Sequence, residues 1–454
     1  MQAAQPGTDE RAQRRVDGQR DAQRLVLRSS SSPPTSRPSE TTGRVTRSPQ
    51  PSDENRSTGR LPVPILAIVI ALPVLWLYGA SGVGKTTVAW EVFVQLAGAG
   101  TPTGYVDIDQ LGMCYAPPTP RHWAPEPDTD PGRHRLKARA LDGVVTNFLD
   151  AGARSLVVPG VTDPDRGVDA DLVPHATVTA CRLRAEPAEL GRRLAARGRP
   201  NEDLAEQLAY ADALDRAFPT DLCIDTTGLT VTEVADRVRA RTGWPDLWAR
   251  MEDPSMMRRE PDRTPGEILW LCGPAAVGKS TVGWQVYQQV RRAGVHAAFV
   301  DLDQIGFHRP TPAGDPGNHR LKAANLAAVW RAFRANGAGC LIAVGPLDRP
   351  EDMGAYAAAL PAATITLCQL HASRRTLADR VRRRGRGITP ARGLAGDQLI
   401  GQPQARLREI ADQAARALGA LDGLGDLGVV TDDRPAGEIA AEILRRTGWP
   451  SPVH

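Results

Sequence analysis

Residues 76–93 read WLYGASGVGKTTVAWEVF, and residues 270–287 read WLCGPAAVGKSTVGWQVY. Each stretch carries the pattern GxxxxGK[ST] between an apolar run typical of a buried strand and the start of an amphipathic helix. In this context backbone N–H groups surround phosphate oxygens, the lysine reaches the outer phosphates and the hydroxyl binds Mg²⁺. Two complete motifs therefore predict two nucleotide sites. The predicted nucleotide-binding residues are Gly79, Gly82, Gly84, Lys85, Thr86, Thr87, Gly273, Gly278, Lys279, Ser280 and Thr281.

Other segments also occur twice, in the same order along the chain. They are YVDIDQLG (105–112) and FVDLDQIG (299–306), DPGRHRLKA (130–138) and DPGNHRLKA (315–323), TVTACRLRA (177–185) and TITLCQLHA (364–372), and RTGWP (241–245 and 446–450). This repetition predicts two copies of one domain. Within each copy, short apolar runs alternate with helical patterns, which predicts an α/β fold with a parallel sheet. The second copy has eighteen additional residues in an Arg- and Gly-rich stretch near 387–420.

The domain boundaries follow from composition. Residues 1–60 are too polar to offset their chain entropy by burial and predict a disordered Arg/Ser/Pro-rich tail. The apolar run that follows is as long as a membrane span, but its prolines and its continuation into the first strand favour a hydrophobic lead-in at 61–72 or an N-terminal extension. The remaining expectations are a first domain at 73–245, a linker at 246–266 and a second domain at 267–450.

Charge and cysteine content exclude some classes of function. The first 60 residues hold eleven arginines and seven acidic residues, and the rest of the chain has 45 basic and 45 acidic residues. A neutral body argues against specific binding of nucleic acid. The six cysteines form no CxxC pair, so neither a zinc site nor a disulfide framework is indicated. We therefore expect a cytoplasmic protein without a membrane span.

A pair of acidic residues follows the second predicted strand of each copy. These pairs are Asp107 with Asp109, and Asp301 with Asp303. Alternate residues of a strand share one face, so we expect both carboxylates of a pair at the mouth of the sheet. There one carboxylate can hold the metal and the other can orient or deprotonate an attacking hydroxyl. The alternative is a turn in which aspartate caps a helix. The predicted metal ligands are Thr86, Asp107, Ser280 and Asp301.

Lysine is rare in this chain. Only four of its 56 basic residues are lysines, and they form two equivalent pairs, Lys85 with Lys137 and Lys279 with Lys322. Lys137 and Lys322 lie in the HRLK segments, near a predicted helix start. We expect these segments to contact substrate or phosphate, the alternatives being exposed helix positions and structural histidines. The substrate residues predicted in this way are His134, Arg135, Lys137, His319, Arg320 and Lys322.

The phosphate loops, the Asp-x-Asp pairs, a glycine-ended third strand without an acid (156–160 and 341–345) and an Arg-rich helix resemble the nucleoside-monophosphate-kinase-like group of P-loop small-molecule kinases. Members of this group include the shikimate, gluconate and adenylylsulfate kinases. The resemblance implies, for each copy, a five-stranded parallel sheet of order 2-3-1-4-5 with helices on both faces. It also implies that ATP and Mg²⁺ are bound and that a mobile lid supplies arginines. The lid arginines are predicted among Arg193, Arg197, Arg199, Arg380, Arg384 and Arg386, the alternative being a solvated helix face.

These observations predict an enzyme that transfers the γ-phosphoryl group of ATP to a small molecule. The predicted catalytic residues are Lys85, Asp109, Arg197, Lys279, Asp303 and Arg384. The alternative function is a nucleotide-binding switch or regulatory ATPase without an acceptor. The second carboxylate of each Asp-x-Asp pair favours a kinase, because a switch needs no acceptor-facing acid. Neither copy has the triple-glycine loop of a shikimate kinase, so no named acceptor is implied.

Overall fold

The structure of the chain is a computed structural model, and it describes residues 71–117, 131–196, 201–245, 262–387, 395–396, 399–421 and 423–451. The predicted tail at 1–60, the predicted lead-in up to residue 70 and residues 246–261 of the predicted linker lie outside the described residues, as does Arg197. Leu72, the last residue of the predicted lead-in, is already the first residue of a buried strand.

The first half of the chain alternates strands and helices. Its strands are β1 (Leu72–Tyr78), β2 (Thr103–Tyr105), β3 (Cys114–Tyr115), β4 (Ser155–Pro159), β5 (Ala176–Arg184) and β6 (Cys223–Asp225). Its helices are α1 (Lys85–Gly98), α2 (Pro131–Asp150), α3 (Pro187–Ala196), α4 (Asn201–Ala217) and α5 (Val231–Thr242). Every residue of β1 is buried, as is typical of a central strand with both faces covered.

The second half repeats this alternation. Its strands are β7 (Gly266–Cys272), β8 (Ala297–Asp301), β9 (Phe307–Arg309), β10 (Cys340–Val344), β11 (Ala363–His371) and β12 (Leu427–Val430). Its helices are α6 (Lys279–Arg292), α7 (His319–Ala335), α8 (Met353–Ala359), α9 (Arg374–Gly385), α10 (Gln404–Ala420) and α11 (Ala436–Thr447). Helix α1 packs against α5, and α6 packs against α11.

The strands form two mixed sheets rather than two wholly parallel five-stranded ones. The strand orders are β6-β5-β1-β4-β2-β9 and β12-β11-β7-β10-β8-β3, six strands in each. Five neighbouring strands of each sheet come from one half and pair in parallel. The sixth strand comes from the other half and pairs antiparallel. The prediction of five parallel strands per sheet was therefore wrong at one edge.

This exchange of edge strands has a simple physical origin. After each Asp-x-Asp segment the chain leaves its own sheet and reaches the edge strand of the other half's sheet. That edge strand offers unpaired backbone N–H and C=O groups. In the first sheet Gly104 is the register partner of His308. In the second sheet Cys114 is the register partner of Ala298. Each half thus completes the sheet of the other, and both edges lie beside the acidic pairs.

Aromatic clusters pack behind both exchanged strands. In the first sheet the ring centroid of Phe307, from the second half, lies 4.8 Å from that of Trp90 and 5.9 Å from that of Tyr105. In the second sheet the ring centroid of Tyr115, from the first half, lies 6.5 Å from that of Tyr287. The two halves therefore share apolar packing as well as backbone hydrogen bonds.

Helices α2 and α7 extend the contact between the halves. They pack against each other, and the buried Asn147 Nδ2 donates to Asn325 Oδ1 at 3.0 Å.

Among the helices that the structure describes, none combines the length and the apolar character needed to cross a bilayer.

Candidate active site

The two phosphate loops join β1 to α1 and β7 to α6. Gly84 and Gly278 precede these helices with φ angles of 100° and 110°, a region that favours glycine. At Gly82 an added Cβ would lie 2.8 Å from Leu190 Cδ1, so the first loop has no room there for a side chain. The second loop has Ala276 in this place, with a φ of 62°.

Each loop lysine lies across its own loop. Lys85 Nζ donates to the carbonyl oxygens of Gly79 and Ala80 at 2.8 and 2.9 Å. Lys279 Nζ makes the same contacts with Gly273 and Pro274, both at 2.9 Å. Burial lowers the pKa of Lys279, and the negative charges of Asp303 and Asp301 oppose that shift. Both ammonium groups are thus held against their own loops, where the charges of the acidic pairs act on them.

The first aspartate of each pair begins a 3₁₀ turn, which spans Ile108–Gly112 in the first half and Leu302–Ile305 in the second. Asp107 Oδ1 accepts from the backbone N of Asp109 at 2.9 Å, and Asp301 Oδ1 accepts from the backbone N of Asp303 at 3.1 Å. The capping alternative from the sequence therefore describes the local structure. The expectation that strand alternation aligns the carboxylates was wrong, because β2 and β8 end before the second acid.

In the second half the predicted metal ligands meet. Ser280 Oγ donates to Asp301 Oδ2 at 3.0 Å. Burial, followed by the charge of Asp303, raises the pKa of Asp301 to about 6. In the first half burial, followed by the charge of Asp109, raises the pKa of Asp107 to about 7. A buried carboxylate whose charge is disfavoured in this way gains from a nearby cation.

The second aspartate of each pair binds a lysine of the HRLK segment. Lys137 Nζ lies 2.7 Å from Asp109 Oδ1, and Lys322 Nζ lies 2.7 Å from Asp303 Oδ1. Burial acts to raise the pKa of Asp109, but the charges of Lys137 and Arg133 outweigh it and lower this pKa. All four lysines of the chain therefore lie at the two sites.

Two glycines that the sequence analysis did not single out make these ion pairs possible. A Cβ on Gly112 would lie 2.7 Å from Lys137 Cγ. Gly306 is crowded in the same way by the stem of Lys322. The signal was available in the sequence, because both copies continue the acidic pair as Gln-x-Gly.

The other HRLK residues take different positions. His319 is buried, and its ring contacts Tyr356 Oη at 3.1 Å through Nδ1 and Asp348 Oδ2 at 3.0 Å through Nε2. His134 is buried as well. Arg135 and Arg320 are exposed. The structure therefore brings the lysines to the acidic pairs, whereas the two arginines face solvent.

The Arg-rich helices contribute one structural and one site-facing arginine in the second half. Arg380 donates to Val277 O at 2.8 Å and to Thr431 O at 2.7 Å, so it ties the phosphate loop to the segment after β12. Arg193 makes the equivalent contacts with Val83 O and Thr226 O. Arg384, a predicted catalytic arginine, lines the cavities beside the second phosphate loop.

Two cavities adjoin the second phosphate loop. One, of about 340 Å³, extends from the loop over the start of α6 to Thr431 and Ile439. The other, of about 400 Å³, extends from the loop to the acidic pair and to Pro346. Lys279, Ser280 and Arg384 line both cavities. The site thus has two compartments that meet at the loop lysine.

Comparison with known proteins gave structural matches only. No family model and no curated protein sequence matches this chain. The tunicamycin resistance protein of Deinococcus radiodurans matches with 23% identity and a TM-score of 0.29, over 38% of this chain and 96% of that one. The APS kinase of Mycobacterium tuberculosis, solved with AMPPNP and APS, matches with 20% identity and a TM-score of 0.25, over 41% and 99%. A gluconokinase of Sinorhizobium meliloti matches with 17% identity and a TM-score of 0.26, over 42% and 99%.

Each of these matches covers about two fifths of the chain. Independently of them, each half has a central buried strand, a phosphate loop and a helix that begins at the loop lysine. Each half therefore has the strand–loop–helix arrangement of a P-loop α/β fold, as its motifs predicted.

Proposed function

We propose that this protein binds Mg·ATP at its phosphate loops and transfers the γ-phosphoryl group to a small-molecule acceptor. One observation carries the proposal: two cavities meet at Lys279 and Ser280, one beside the loop helix and one beside the acidic pair. Phosphoryl transfer needs a donor and an acceptor on opposite sides of the transferred group. A nucleotide in the first cavity and an acceptor in the second would satisfy that requirement.

The donor set at the second loop suits magnesium. Ser280 Oγ and Asp301 Oδ2 are hard oxygen ligands 3.0 Å apart, and Mg²⁺ is typically held by one or two such groups together with phosphate oxygens. Thr86 and Asp107 are their counterparts in the first half. The bound ion would neutralise negative charge on the phosphates.

Lys279 donates hydrogen bonds to phosphate oxygens when its Nζ turns away from the loop carbonyls. Asp303 then orients the acceptor hydroxyl, and Lys322 holds the Asp303 carboxylate in place at 2.7 Å. A carboxylate fixed in this way suits a reaction with a loose transition state, in which positioning and charge account for most of the catalysis. Arg384, which lines both cavities, adds positive charge near the transferred group.

We also infer that the two halves are copies of one domain. The five parallel strands contributed by each half follow the order 2-3-1-4-5 when they are numbered within that half. Polar contacts recur as well: the loop lysine on the loop carbonyls, the HRLK lysine on the second acid, and an arginine that bridges loop and sheet. These contacts occur in both halves although the two halves differ in length.

The test begins with equilibrium titration of the full chain with Mg·ATP. We expect two nucleotides per chain, and one in Lys85→Met or in Lys279→Met. Asp303→Asn should then lower transfer to an acceptor by about 10²–10⁴-fold with little change in nucleotide affinity, whereas Asp301→Asn should raise the Mg²⁺ concentration needed for half-maximal rate. Slow ATP hydrolysis provides the first assay, and metabolite extracts provide the acceptor pool. A wild-type stoichiometry of zero would exclude the proposal.

The ion pairs at Asp109 and Asp303 also fit a second function, a nucleotide-binding switch. In that case the acids hold the Lys137 and Lys322 ammonium groups for structural reasons and no acceptor binds. Unaltered hydrolysis and metal dependence in all four Asp→Asn variants, together with intact nucleotide binding, would favour the switch.

A further inference from the structure

The cavity beside the first phosphate loop has walls from both halves of the chain. Its volume is about 560 Å³. The first half contributes loop residues such as Gly84, together with Arg193 and Thr226. The second half contributes Arg386, Gly387 and Ile400.

The equivalent cavity of the second half is built differently. Arg380 and Thr431 line the second cavity, as Arg193 and Thr226 line the first. The two cavities therefore correspond. Within the described part of the chain, however, second-half residues alone line this cavity. Arg199, the first-half counterpart of Arg386, lies outside the described residues.

Backbone and side-chain contacts hold the second-half residues in this position. The backbone N of Gly401 donates to Gly385 O at 3.0 Å, which brings Ile400 close to the end of α9. Gln304 Nε2 donates to Ala395 O at 3.0 Å, and Gln304 Oε1 accepts from the backbone N of Ala395 at 3.2 Å.

The first half takes part in this anchoring. An added Cβ on Gly396 would lie 3.3 Å from Trp90 Cη2 on α1. The additional stretch of the second copy therefore packs on the first half at Gly396, and its residue Ile400 lines the first cavity.

Arg386 differs from the other arginine of this cavity. The Arg193 guanidinium donates hydrogen bonds to Val83 O, Thr226 and Glu189. Arg386 is exposed, and among the described residues its side chain forms no ion pair with a carboxylate. A guanidinium in this situation can pair with two phosphate oxygens at once.

We propose that Arg386 of the second half binds the phosphates of the nucleotide at the first phosphate loop. The inference rests on the proposed function, because it requires a nucleotide at that loop. It makes the first site composite: Gly84 and Lys85 come from one half, and Arg386 comes from the other. The second site, by contrast, draws on its own half in the described residues.

The experiment measures the Kd of a non-hydrolysable Mg·ATP analogue by calorimetry, one site at a time. In a full-length Lys279→Met parent, which leaves only the first loop functional, Arg386→Ala should raise the Kd by about tenfold, the size expected for one charge-assisted contact. Arg386→Lys should recover part of the loss. In a Lys85→Met parent, Arg386→Ala should leave the Kd of the second site unchanged.

Arg383→Ala is the matched control. Arg383 is exposed, lies three residues before Arg386 in the last turn of α9 and carries the same charge, but it lines neither nucleotide cavity. Its removal should change the Kd of the first site by less than about twofold. Equal effects of the two substitutions, or an equal loss at both sites, would overturn the role of Arg386. A Lys279→Met parent that binds no nucleotide would instead contradict the proposed function at the first loop.

Discussion

The ion pair between Lys137 and Asp109 joins a side chain that is 1% exposed to one that is 37% exposed. Removing the lysine alone takes away the direct partner of a half-buried carboxylate, although the charge of Arg133 still acts on it. Because Asp109 retains some solvent contact, we expect Lys137→Met to lower the free energy of unfolding by about 2 kcal/mol, less than the 3–5 kcal/mol typical of a broken, fully buried pair. Urea denaturation followed by circular dichroism measures this loss.

The control is the double variant Lys137→Met/Asp109→Asn. It removes both charges, so it should recover at least half of the stability lost in the single variant. A loss of unfolding free energy in the double variant that equals the sum of the losses in the two single variants would show that the two charges do not interact.

Ala276 offers a second prediction at the residue scale. Its φ of 62° places an L-residue in the left-handed region, where the strain of about 1–2 kcal/mol exceeds the entropy cost of about 0.5–1 kcal/mol that glycine adds. Ala276→Gly should therefore raise the free energy of unfolding by about 0.5 kcal/mol. The matched change Gly82→Ala should lower the free energy of unfolding by about 1 kcal/mol or more, because the new Cβ would lie 2.8 Å from Leu190 Cδ1. Denaturant midpoints of the two variants that move in the same direction would contradict this account.

Sequence reasoning at this scale located the lysines but not their partners. Their rarity indicated that Lys137 and Lys322 have a specific role, and the motif spacing located Lys85 and Lys279. The partner of Lys137 is 28 positions away, and a 3₁₀ turn rather than a strand carries Asp109. No periodicity in the sequence specifies that turn.

At the scale of elements, strand β9 holds the two halves together. Phe307 packs its ring on Trp90 of α1 and on Tyr105 of β2. Phe307→Ala should lower the free energy of unfolding by about 2–3 kcal/mol, somewhat less than the loss for a fully buried ring. Val430→Ala is the control, because Val430 is 53% exposed on β12 and should cost less than about 0.5 kcal/mol. Similar losses in the two variants would mean that the exchanged strand contributes little.

The central strands were predictable, whereas the exchanged strands were not. The apolar runs at 74–78 and 156–159 are long enough to indicate buried strands, and the structure extends each by only one or two residues. Strands β3 and β9 have two and three residues, which is too short for a hydrophobic pattern. Each of them pairs with the edge strand of the other half, and the residues around β3 and β9 in the sequence do not predict that pairing.

At the scale of the whole molecule, burial is continuous across the two halves. One cluster of buried apolar side chains includes Val74 and Leu156 of the first sheet together with Trp270, Val300 and Trp330 of the second half. Hydrogen bonds also run directly between the acidic segments: the backbone N of Asp107 donates to Gln304 O at 2.9 Å, and the backbone N of Asp301 donates to Gln110 Oε1 at 2.8 Å. The two acidic segments are therefore in direct contact, with no element between them.

The last prediction concerns the halves in isolation. Expressed alone, residues 71–245 would leave β2 as an unpaired edge and would expose the Trp90 and Tyr105 faces that Phe307 covers, which favours self-association. We expect that half to form dimers or larger species in size-exclusion chromatography with light scattering, and co-expression with residues 262–451 to restore a one-to-one complex. The full chain should unfold in a single thermal transition, and Mg·ATP at 100 times its Kd should stabilise it by about 2.7 kcal/mol for each site filled. A stable, monodisperse monomer of residues 71–245 would show that the exchanged strand is dispensable, because the sheet would then tolerate its open edge.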